Sequence, residues 1–62
     1  MTYFVRFKHS DMDGTKFKES HIITTDKYIV DMDDVKNLIY DEIGIMVDEV
    51  LQFSQINIGH QN

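Results

Sequence analysis

The chain has 62 residues, of which 11 are Asp or Glu and 6 are Lys or Arg, giving a formal net charge of −5; 42% of it is apolar, and it has no Cys, Pro or Trp. So short a chain makes one domain the ceiling, and the lack of cysteine excludes disulfide staples, thiolate metal cages and thiol nucleophiles. A domain of this size buries only about 60% of the surface its unfolded chain exposes, so self-association is an expected source of further stability.

Residues 1–25 read as a β-hairpin. Tyr3-Phe-Val-Arg-Phe-Lys8 is β-branched and aromatic, and Asp13-Gly14 is a dipeptide suited to the positive φ of a two-residue type I′ turn. That turn pairs Met12 with Thr15 and sets Lys8 opposite Glu19, Val5 opposite Ile22 and Phe4 opposite Ile23. Tyr3, Val5, Phe7 and Ile22 then form the expected core face, with His9 on that face near the turn. Phe4, Phe17 and Ile23 share the other face with Arg6, Lys8 and His21.

A helix is expected from about Asp33 to Ile43. Val35, Leu38, Ile39 and Ile43, continuing toward Met46, recur at three- and four-residue intervals and make one apolar stripe. Asp31 or Asp33 suits the N-cap, acids suit the first turn, and Gly44 stands where a C′ glycine belongs. The stretch Glu49–Ile58 is rich in β formers and reads as a third strand, with a helix using Val47, Val50 and Leu51 as the alternative. The order is β-β-α-β, an α+β domain spanning residues 1–62.

The chain carries few motifs of known chemistry. Asp11-Met-Asp-Gly14 shares part of the EF-hand pattern, but aligning Gly14 with the loop glycine puts His9 and Ser20 where the terminal carboxylates belong. His9, His21 and His60 lack zinc-site spacing and read as solvated or edge residues. There is no nucleophile elbow, phosphate-cradling glycine loop or dinucleotide fingerprint. Carboxylate pairs such as Asp33/Asp34 and Asp48/Glu49 need a water-excluding pocket to divide acid from base, and a chain this short has little volume for one. An enzyme is not expected, nor a cofactor or metal. No apolar run reaches the roughly 18 residues of a membrane helix, and Met1–Lys8 does not resemble a signal peptide, so a cytoplasmic protein is expected.

Charge is unevenly divided. Residues 1–25 carry four bases and three acids, whereas residues 26–49 carry eight acids against Lys27 and Lys36, a segment charge of −6. Arg6, Lys8 and Lys18 beside Phe4 sketch a small basic stacking platform, but the net charge of the hairpin is only +1, so direct nucleic-acid binding is not expected. On the helix, Asp34 and Asp41 fall on one side seven residues apart, a rise of about 10.5 Å. That is close to three nucleotide steps along a DNA strand at roughly 3.4 Å each. The segment has few balancing i,i+4 Glu–Lys pairs, Tyr40 projects to the polar side and Glu42 interrupts the apolar stripe. A solvated helix face, or fraying after Tyr40, accounts for the same features.

The layout resembles the short phage-encoded uracil-DNA glycosylase inhibitors. The likeness lies in the aromatic first strand, the Asp13-Gly14 turn, Asp34-Val-Lys-Asn-Leu-Ile-Tyr40 and Asp48-Glu-Val-Leu51. Val35 stands where an aromatic residue belongs, and the link to the last strand is longer. The resemblance implies a homodimer in the host cytoplasm, with Val35 and Leu38 lining an apolar groove, Asp34 and Asp41 on a phosphate-like rim and Tyr40 flanking it. Together with the charge pattern it makes Asp31, Asp33, Asp34, Val35, Leu38, Tyr40, Asp41 and Glu42 the expected partner-binding set. The leading expectation is a DNA-mimic inhibitor of a DNA-processing enzyme, uracil-DNA glycosylase first. The alternatives are an assembly or regulatory subunit that binds a protein through Phe4, Phe17 and Ile23, and another phage anti-defence inhibitor directed at a nuclease or CRISPR effector.

Overall fold

A computed structural model describes residues 1–56. Strands β1 (Thr2–Ser10) and β2 (Lys16–Thr24) form the hairpin, helix α1 (Met32–Ile43) follows, and strand β3 (Glu49–Ile56) returns to the far side of β1. The sheet order is β2-β1-β3, with both pairings antiparallel. The α+β, β-β-α-β architecture is as expected. Asn57, Ile58 and His60 lie outside the described residues.

The hairpin register differs from expectation by one residue. The Asp11 carboxylate accepts the backbone N–H groups of Asp13 (2.9 Å) and Thr15 (3.0 Å), while the Gly14 N–H donates to the Asp11 carbonyl (3.1 Å). The loop is therefore three residues, Met12-Asp13-Gly14, and only Gly14 (φ 83°) takes a positive φ. A type I′ turn needs two such residues in succession, whereas a three-residue loop needs one. The slip sets Phe4 opposite Ile22, Val5 opposite His21 and Lys8 opposite Lys18. Since a one-residue slip turns every side chain of a strand to the other face, Ile23 rather than Ile22 enters the core, and His21 joins the core face rather than the Arg6 face.

Helix α1 starts at Met32 with Asp31 as its N-cap. The Asp31 side chain accepts the Asp34 N–H (3.0 Å), and the Asp34 carboxylate reaches back to the Asp31 N–H (3.3 Å), a reciprocal capping box. Gly44, at φ 84°, ends it in the left-handed conformation, its N–H donating to the Tyr40 carbonyl. The helix is intact past Tyr40.

β3 is a strand with an irregularity. Arg6 pairs with Gln52 but Phe7 with Val50, so Leu51 is an extra residue on β3. This bulge turns both Val50 and Phe53 to the core face, although residues three apart on a regular strand point to opposite faces. The core comprises Tyr3, Val5 and Phe7 of β1, Ile23 of β2, and Val35, Leu38 and Ile39 of α1. Ile29, Ile43, Ile45, Val47, Val50 and Phe53 pack around it. All of it lies between α1 and one face of the sheet. Met46, expected to extend the helical stripe, is exposed beyond Gly44.

Candidate functional site

The acids expected to imitate phosphates are largely occupied within the fold. Asp31 and Asp34 form the capping box, and the Asp34 carboxylate also accepts the Val30 N–H at 2.9 Å. Asp41 does lie on the same side of α1 as Asp34, but its Oδ2 is 2.6 Å from the Lys27 Nζ. That hydrogen bond raises the Lys27 pKa above its ordinary value. Asp33 and Glu42 are exposed and make no ion pair among the described residues. Nine positions apart on a helix, they face opposite sides. The carboxylates form no single outward row.

Val35 and Leu38 do not line a surface groove as the resemblance implies. They are 2% and 1% exposed, packed with Tyr3, Val5 and Phe7. A short amphipathic helix on one sheet spends its apolar stripe on that sheet. Nor does the exposed set Phe4, Phe17 and Ile23 hold together, because Ile23 is buried and Phe17 lies on the same face as His9.

Tyr40 is exposed, as expected, and has neighbours the sequence did not suggest. Met32, Lys36 and Tyr40 stand four residues apart and share one flank of α1. After Gly44 reverses the chain, Met46 and Val47 come against that flank. Together with Lys36, Asn37 and Tyr40 they line a groove of about 350 Å³. Tyr40 is 55% and Met46 78% exposed, so the groove presents apolar surface to solvent. The three- and four-residue periodicity continues toward Met46 as if it were helical, so only the position of the Gly44 turn reveals this groove.

A second cluster sits toward the turn end of the core face. Glu19 hydrogen-bonds His21 at 3.0 Å through one carboxylate oxygen and His9 through the other. The His21 ring stacks on Phe7 at 5.7 Å and the His9 ring on Phe17 at 5.4 Å. The hydrogen bond from His21, then that from His9, holds the Glu19 carboxyl below its ordinary value. The slipped register creates this cluster. Among the described residues, no group of three or more His, Cys, Asp or Glu side chains is arranged to hold a metal ion. Likewise, no described helix is long and apolar enough to cross a membrane. No protein-family model, curated protein or solved structure matches the chain.

Proposed function

We propose that the chain is a non-enzymatic binding module that takes an apolar side chain of a protein partner into the groove between α1 and the Gly44–Asp48 link. The supporting observation is the exposure of Tyr40 and Met46 in a groove that Val47 also lines. Aromatic and methionine side chains enriched at one concave spot are the composition of an interface centre, and Lys36 and Asn37 supply a polar rim. A photo-crosslinking amino acid at position 40, in a lysate of the source cells, should trap a partner that the same probe at Met12, on the hairpin turn, does not. Met46→Asp should remove the adduct while leaving the circular dichroism spectrum unchanged. Equal trapping at both positions, or trapping indifferent to Met46→Asp, overturns the proposal.

A second reading, DNA-mimic inhibition of uracil-DNA glycosylase or another DNA-processing enzyme, is favoured by the common side of Asp34 and Asp41. Under it, excess protein blocks uracil release. Lys27→Gln, which frees Asp41, strengthens the block, and Asp41→Lys abolishes it. Full glycosylase activity at stoichiometric excess eliminates that target.

A further inference from the structure

The face of the sheet turned away from α1 carries a different chemistry. Cross-strand partners in an antiparallel sheet share a face, so the register defines it row by row. Phe4 lies between Ile22 and Ser54, Arg6 between Ser20 and Gln52, Lys8 between Lys18 and Glu49, and Ser10 beside Lys16. Four of the six Lys and Arg residues of the chain stand here in a staggered grid over three successive rows: Arg6 on β1 opposite Ser20, Lys8 on β1 opposite Lys18 on β2, and Lys16 on β2 opposite Ser10.

The grid is incompletely neutralised. Lys8 reaches Glu49 at 4.0 Å and Lys16 reaches Asp48 at 3.7 Å, both near the rim of the face. Arg6 and Lys18 are exposed and make no ion pair among the described residues. Glu49 lies in these rows, and Asp48 stands at their end, where its carboxylate also accepts the Ser10 hydroxyl. Lys8 directly opposite Lys18 is moreover a like-charge pair, which destabilises a sheet by itself. An external anion between them removes that repulsion. Next to the cations lies the apolar row of Phe4 and Ile22, the latter 64% exposed, flanked by neutral hydrogen-bonding groups on Ser20, Gln52 and Ser54.

We infer that this open sheet face binds single-stranded nucleic acid. Its phosphates lie over Arg6, Lys8, Lys16 and Lys18, and a base lies over Phe4 and Ile22. Same-face residues along a strand are about 6.8 Å apart, comparable to successive phosphates of an extended polynucleotide. A flat sheet joining cations to an aromatic ring is the chemistry of single-strand recognition. An acidic peptide would satisfy the cations but leaves the apolar row without a role. The inference does not rest on the groove proposal, since it uses the opposite side of the sheet and fails independently of it.

Fluorescence anisotropy of a labelled thymidine oligomer of about 15 nucleotides tests it. The probe should bind the full chain, and with four phosphates neutralised the affinity should fall about 50-fold between roughly 50 and 200 mM salt. Arg6→Gln with Lys18→Gln should weaken binding about tenfold or more, while circular dichroism stays unchanged and Lys27→Gln, which only unpairs Asp41 of α1, binds as the parent does. Ile22→Ser should weaken binding with no change in salt slope. No binding at low salt overturns the proposal, as does insensitivity to the Arg6/Lys18 pair. Equal affinity for duplex, or equally effective displacement by poly-glutamate, also overturns it by exposing a general polyanion surface.

Discussion

Glu19 shows how much one side chain's role depends on what stands opposite it. In the expected register it is a surface acid facing Lys8; in the structure it is half-buried and joined to His9 and His21. Because these bonds hold its carboxyl below the ordinary value of 4.5, the folded state favours the carboxylate. Its contribution to stability is therefore present above the unfolded value and is lost as pH falls through the lower folded one. Urea midpoints of the parent and Glu19→Gln should differ near neutrality and draw together as acidification carries the pH below the ordinary carboxylate value of 4.5 and through the lower folded one. Parallel curves throughout would show that the carboxylate does not sense the two rings. Asp31 and Asp34 carry a related lesson, for an acid at a helix start already has a partner in the first-turn N–H groups. High segment charge is therefore a poor measure of displayed charge.

Among the elements, α1 is the most legible from sequence and β3 the least. The apolar stripe, the N-terminal acids and Gly44 all act within a turn or two, so each can be read from neighbours in the chain. In β3 the bulge at Leu51 replaces strict alternation with a three-residue step between Val50 and Phe53, which looks like part of a helical repeat. The same bulge makes a strong prediction. Deleting Leu51 restores a regular strand and forces either Val50 or Phe53 off the core face, so that variant should be largely unfolded by circular dichroism. Leu51→Ala, which keeps the extra residue and loses a part-exposed side chain, should fold normally. A folded deletion variant would mean that the bulge is incidental.

For the whole molecule, the balance is narrow. At the usual 0.05–0.15 kcal/mol per residue, a chain this long has about 3–9 kcal/mol of stability, and seven buried side chains, four from one sheet face and three from α1, carry the core. Phe7 is fully buried at its centre. Phe7→Ala should cost about 3–5 kcal/mol, enough to leave a substantial unfolded fraction in the amide spectrum at room temperature. The two faces of the molecule also differ in electrical character, with acids concentrated on α1 and its flanking loops and four cations on the open sheet face. The net charge of −5 averages this away, and it made the basic platform around Arg6, Lys8 and Lys18 look negligible from composition alone.

The sequence by itself determined the number, type and order of the elements and the apolar membership of β1 and α1. Those follow from periodicity and capping, which act over a few residues. The three-dimensional arrangement decided the rest. An Asp11 side chain competing for turn N–H groups moved β2 by one residue, exchanged Ile22 for Ile23 and assembled Glu19 with two histidines. Lys27 met Asp41 across 14 positions, and the chain reversal at Gly44 brought Met46 and Val47 against Tyr40. Pairing across strands and loops depends on where distant backbone is held, and no local pattern of residues records that.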